Sequence, residues 1–99
     1  GVHTSGGVDR IAAPRSGNGA PDYPRSLRPS GLEGSVLVTF VVDTLGRAEP
    51  GSITVVSSTH PRFADAVRQW LGRTRYAPAE IRGMRVRQLV QQEVGFALK

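Results

Sequence analysis

Between Glu33 and Asp43 the chain reads Glu-Gly-Ser-Val-Leu-Val-Thr-Phe-Val-Val-Asp, and this run restricts the possible folds more than any other. Val36, Val38, Phe40 and Val42 recur at period two, with Ser35, Thr39 and Asp43 on the opposite side. Alternation of β-branched and aromatic residues with polar ones predicts a strand with one buried face. The Asp43-Thr44-Leu45-Gly46-Arg47 run that follows has turn chemistry: a carboxylate to fold back on its own backbone and a Gly for positive φ. The rest of the chain has to pair with this strand or cover its apolar face.

A return strand is expected to begin at Arg47-Ala48-Glu49, lose regularity at Pro50-Gly51, and resume over Ser52–Ser57 with Ile53 and Val55 on the core face. Two strands so close in sequence predict an antiparallel hairpin. Ser58-Thr59-His60-Pro61 reads as a helix start, a hydroxyl cap with Pro in the first turn. Phe63, Ala66, Val67, Trp70 and Leu71 then recur at helical spacing, with Arg62, Asp65, Arg68 and Gln69 opposite. Gly72 weakens this helix and Pro78 ends it. After a loop over 79–83, Val86, Gln88, Val90, Gln92, Val94, Phe96 and Leu98 alternate with Arg85, Arg87, Leu89, Gln91, Glu93 and Gly95, which predicts a third strand.

Residues 1–22 are dominated by Gly, Ser, Pro and Ala, with Val2, Val8 and Ile11 as the sizeable apolar groups. They bury too little to offset the entropy of ordering, so they are expected to form a flexible linker end ahead of a domain over 23–99. Tyr23-Pro24 opens that domain with a short helix through Arg28, Tyr23 and Leu27 sharing one face. The predicted fold is α+β: a three-stranded antiparallel sheet in the order second, first, third, with a short N-terminal helix and one longer helix on one face. Its core draws on Val36, Val38, Phe40, Val42, Ile53, Val55, Phe63, Val67, Trp70, Leu71, Val94 and Phe96. The third strand would then present a free edge.

A chain of 99 residues makes one domain at most. It has no apolar run of membrane-spanning length and no signal segment, so it is expected to be soluble as given. Gly1 reads as a cleavage scar, which leaves room for an anchor upstream. With no cysteine there are no disulfides or thiolate metal sites. The net charge of +5 comes almost wholly from arginine and permits binding to nucleic acid, anionic lipid or an acidic protein segment.

Neither catalysis nor nucleic-acid binding is supported by the placement of residues. Ser57, Ser58, His60 and Asp65 cluster at a helix start, where capping accounts for them. His3 and His60 lie far apart, and no cofactor or metal is implied. Arginines are spread through tail, helix and last strand, while Phe40, Phe63, Trp70 and Phe96 fall on the core face. A sheet that binds RNA shows aromatics on its open face instead.

From Tyr23 to Leu98 the chain resembles the C-terminal domain of TonB, the periplasmic energy transducer of Gram-negative bacteria. Tyr23-Pro24 is similar to the family's opening Tyr-Pro, and Glu33–Asp43 with Gly46-Arg47 to its alternating strand and turn. Ile53–Ser58 is similar to its second strand, Arg75-Tyr76-Ala77-Pro78-Ala79 to the aromatic-x-Pro after the helix, and Val94–Leu98 to the closing Phe-x-Leu. The pattern departs from the family at Thr59, where Gly is common, and at Gln88, Gln91 and Gln92, where apolar residues or Pro are common.

The resemblance implies a domain anchored to the inner membrane in the full-length protein and lying in the periplasm. It would bind the TonB box of outer-membrane TonB-dependent transporters by strand addition, with inner-membrane motor proteins acting through the missing N-terminal part. The implied binding edge is Arg85, Arg87, Gln88, Leu89, Val90, Gln91, Gln92 and Glu93. A strand-mediated homodimer would use the same edge. A TolA-like or regulatory envelope interaction module with the same fold is the alternative reading.

Overall fold

The structure, a computed structural model, describes residues 1–98. In chain order its elements are β1 (Val2–His3), a 3-10 turn (Ser5–Gly7), β2 (Ala13–Pro14) and a second 3-10 turn (Arg25–Leu27). Then come β3 (Gly34–Val42), a third 3-10 turn (Pro50–Ser52), β4 (Thr54–Ser58) and α1 (Pro61–Leu71). The chain closes with β5 (Tyr76–Ala77), β6 (Ala79–Ile81) and β7 (Met84–Phe96).

β3 is the centre of the sheet. It pairs antiparallel with β7 in an unbroken register from Gly34↔Phe96 to Val42↔Gln88, and antiparallel with β4 on its other side. The expected order of second, first and third strands is therefore present as β4-β3-β7. The sheet has five strands and not three, however, because β1 pairs parallel with β7 and β6 pairs antiparallel with it. Separately, β2 and β5 form a two-stranded ladder. These added strands are two or three residues long, too short for an alternating pattern to reveal.

The hairpin from β3 to β4 is less regular than the expected return strand. Asp43 Oδ1 accepts from Leu45 N and Arg47 N, both at 2.9 Å, and Gly46 adopts φ +83°. Beyond that turn the chain makes a single bridge, Val42↔Ala48, and enters the Pro50–Ser52 turn. There Ser52 Oγ accepts from Val41 N at 2.8 Å, so a hydroxyl takes the place of a ladder carbonyl. Further on, Leu37 faces Ser57 and Val38 faces Val55, which leaves Val56 as a bulge residue on the outer strand.

α1 begins where the sequence places Pro61, but its cap is His60, whose Nδ1 accepts from Arg62 N at 3.0 Å. The expected hydroxyls act elsewhere. Ser58 Oγ bonds the backbone of His60, and Thr59 Oγ1 accepts from Ser35 N at 3.0 Å, tying the helix start to β3. The helix stops at Leu71 with Gly72 as C-cap, several residues ahead of Pro78. The short N-terminal helix is only a 3-10 turn after Pro24, so α1 is the one α-helix among the described residues. One turn between Pro24 and Pro29 leaves too few backbone N–H groups to propagate a helix.

Phe63, Val67, Trp70 and Leu71 of α1 are buried against Val36, Val38, Phe40 and Val42. Phe63 stacks on Phe96 with ring centroids 4.5 Å apart and receives Tyr23 edge-on at 5.8 Å. Val94 and Phe96 are buried from β7, while Ile53 and Val55 pack half-buried at the margin. Tyr76, buried on β5, lies 5.7 Å from Phe40 and extends the core past the end of the helix.

Candidate functional site: the outer edge of β7

β7 is long because two separate stretches of it find partners. Its start is the second arm of a hairpin with β6, closed by Arg82 at φ 53° and Gly83 at φ 76°. Positive φ at both central residues is the two-residue turn that matches strand twist. Asp9 Oδ2 accepts from Arg82 N, which satisfies the turn's donor and ties it to the N-terminal segment. A loop was expected over 79–83, since Arg-Gly lacks the usual Asn or Asp signal.

From Gln88 onward β7 runs beside β3. The residues expected to form a binding edge divide into three groups. Arg85 faces Glu80 of β6, and Arg87 and Gln88 face Val2 and His3 of β1. Leu89, Val90, Gln91, Gln92 and Glu93 have β3 on one side and, among the described residues, no strand on the other. The side chains alternate as the sequence indicates: Leu89, Gln91 and Glu93 are exposed, whereas Val90 and Gln92 are half-buried and Gln88 is 4% exposed.

The glutamines on the inner face have a structural use. Gln88 Oε1 accepts from Ala12 N at 2.7 Å, so a buried amide holds the backbone of the N-terminal segment where a ladder carbonyl would otherwise be needed. Gln92 Oε1 accepts from the Tyr76 hydroxyl at 3.4 Å. Here α1 has already ended, and polar contacts with the chain's own extended segments close the sheet.

Arg87 is committed to Glu49 in a forked pair, Nε to Oε2 at 2.6 Å and Nη2 to Oε1 at 2.7 Å. This two-bond geometry holds the Glu49 carboxyl below its ordinary value and the guanidinium above its own. Burial pushes the Tyr76 hydroxyl up, and hydrogen bonding with Thr74 opposes it. Among the described residues, no cluster of His, Cys, Asp or Glu is placed to hold a metal ion.

The segment expected as a flexible lead-in is laid against β7, β6 and β5 in turn. Besides β1, the N–H groups of Asp9 and Arg10 reach Glu80 O at 2.9 and 3.1 Å, and Arg15 N reaches Arg75 O at 2.9 Å. Its main-chain bonds are not encoded by residue type, and side-chain bonds of Asp9, Asn18 and Gln88 add to them.

Fold and edge together define an α+β domain with a helix over one face of a sheet and a partly open strand edge. The sequence profile described as Gram-negative bacterial TonB protein C-terminal matches residues 19–98, and the chain belongs to that family. It is a TonB-type periplasmic domain, from a family of protein-interaction domains that are not enzymes. The structure is similar to the solution structure of the Pseudomonas aeruginosa TonB C-terminal domain. Their TM-score is 0.75 at 27% identity, covering 97% of this chain and 93% of that one. No curated protein sequence matches the chain significantly.

Proposed function

We propose that this domain binds the TonB box of outer-membrane transporters as an added strand along β7, coupling the inner-membrane ion gradient to import. The observation that carries this reading is the outer side of β7 from Leu89 to Phe96, which has no strand partner among the described residues and whose length suits one ordinary strand. Main-chain hydrogen bonds would supply affinity, and the exposed Leu89, Gln91 and Glu93 would tune it. The other sheet edge, β4, is interrupted by the Val56 bulge, which disfavours regular addition there. Residues 23–99 form the domain in this reading. Residues 1–22 are the end of the linker that leads to an inner-membrane anchor and its motor proteins.

Titrating the labelled domain with a synthetic TonB-box peptide tests this. Amide shifts should concentrate on 89–96 of β7 and spare β4. Gln91→Pro should abolish binding in a folded protein, while Val56→Pro should leave it intact. Shifts confined to β4, or binding lost only with Val56→Pro, would overturn the assignment.

A further inference from the structure

The N-terminal segment is held unevenly. From Asp9 to Asn18 it is fastened bond by bond: Asp9 and Arg10 to Glu80, Ala12 to Gln88, Ala13–Pro14 to Tyr76–Ala77, Arg15 to Arg75. Asn18 completes the series, its amide donating to Arg75 O and accepting from Arg75 N, both at 2.8 Å. Residues 1–8 have far less. They touch the sheet through a two-residue parallel pairing at Arg87 and Gln88, and none of them is buried. The Ser5–Gly7 turn is closed only by its own bond, Gly7 N to Thr4 O, and contains the Gly6-Gly7 pair. Few buried contacts and a short exposed ladder are the marks of a segment that opens on its own.

Position gives this weakness a purpose. β1 uses the outer side of β7 at Arg87 and Gln88, and Thr4 and Ser5 line a shallow cleft of about 410 Å³ with Leu89, Val90 and Gln91. The first eight residues therefore pair just ahead of the Leu89–Phe96 stretch that an incoming strand needs, and Thr4 and Ser5 lie beside its first three positions, Leu89 to Gln91. A strand laid along β7 from Leu89 onward has to enter the space beside Leu89–Gln91 that Thr4 and Ser5 line, so the two cannot hold that end of the edge together.

We propose that residues 1–8 are a displaceable strap, covering the start of the partner edge in the free protein and moved aside by the incoming strand. The hinge is Val8–Asp9, and residues 9–18 stay in place. Retaining them keeps the buried Gln88 amide bonded to Ala12, which complete detachment would leave without its partner. The proposal rests on the reading of β7 as the peptide edge. In the free protein the strap guards that edge against unwanted strand pairing, and it lowers partner affinity by the fraction of molecules that are closed.

Deleting residues 1–8 and locking them are the two decisive changes. No residue of 1–8 belongs to the core cluster, so the deletion should leave the fold unchanged, with the β3–β7 amide spectrum as the check. The chain has no cysteine, so V2C with R87C introduces one disulfide between facing strand positions. With the TonB-box peptide as probe, the deletion should tighten binding about tenfold. The oxidised V2C/R87C protein should bind at least about tenfold more weakly than the same protein reduced. Equal affinity of intact and deleted chains, with oxidised and reduced forms also equal, overturns the strap and leaves the edge standing. Absence of binding in every form, the deletion included, overturns the edge reading and the strap with it.

Discussion

Gly46 and Gly83 share a torsion and differ in surroundings, so alanine at each separates two costs that are usually confounded. Both sit at positive φ, +83° and +76°. An L-residue there costs about 1–2 kcal/mol. A Cβ on Gly83 would meet nothing within 4 Å, so Gly83→Ala should cost only that torsional term. A Cβ on Gly46 would lie 2.0 Å from the backbone O of Tyr76, an atom that cannot swing aside. The same approach carries the Tyr76 N to Gly46 O bond at 2.8 Å. Losing that bond adds about 1 kcal/mol, and forced displacement in a packed site adds about 1–3 kcal/mol. Gly46→Ala should therefore cost about 3–6 kcal/mol in all, a large part of the stability of a domain this size. Urea denaturation of the two variants gives the comparison directly, since the difference in midpoints at equal m is the steric and hydrogen-bond cost alone. If Gly46→Ala falls within about 1 kcal/mol of Gly83→Ala, the Tyr76 segment is not braced against the turn as argued.

Other outcomes follow from the core, the ion pair and the edge. Phe63→Ala, which removes a fully buried ring stacked on Phe96, should cost about 3–5 kcal/mol by chemical denaturation. Trp70→Phe should cost less than the roughly 3–5 kcal/mol of truncation to Ala, because the smaller ring keeps most of the packing and the buried indole N–H has no acceptor to lose among the described residues. The Glu49 carboxyl is lowered from 4.5 by its bonds to Arg87, so its contribution is complete above that pH and is lost on acidification through the lowered value. Tyr76 is raised from 10.0 by burial, so its contribution is present below pH 10 and is lost as pH rises through the raised value. Midpoints measured across pH should fall on both sides, with R87Q flattening the acid limb and Y76F the alkaline one. Self-pairing through the β7 edge, opposed by the net charge of +5, should grow with salt and protein concentration in sedimentation runs, and a TonB-box peptide should dissolve it. A monomer at every salt and millimolar protein would refute that pairing.

β3, α1 and the order of the three long strands were legible in the sequence because each has a period that burial enforces. Val36 to Val42 alternates, Phe63 to Leu71 follows the helix, and a slip by one residue in either would put apolar groups in water. Nothing of this kind marks Val2–His3, Ala13–Pro14 or Ala79–Ile81. They are held by backbone groups that every residue has, and their composition matches a solvated linker. His60 replaced the expected hydroxyl cap because an imidazole nitrogen can accept as an oxygen does. Gln88, which with Gln92 dilutes an otherwise apolar face, was an available signal that something besides the helix covers that end of the sheet. A polar side chain on a core face asks for a partner, and here the partner is the N-terminal segment.

The nine-position register between β3 and β7 has a mechanical consequence. Tension applied along β7 loads all of those pairs at once, in shear. Tension applied across the sheet opens them one after another, as a zipper does. A strand added to the outer edge lies along the same axis, so a pull transmitted through it falls on the strong direction of the sheet. β4 is shorter and kinked at Val56, and it would peel away under the same load. The domain is thus anisotropic to force, and its stiff axis is the one along which β7 can be gripped.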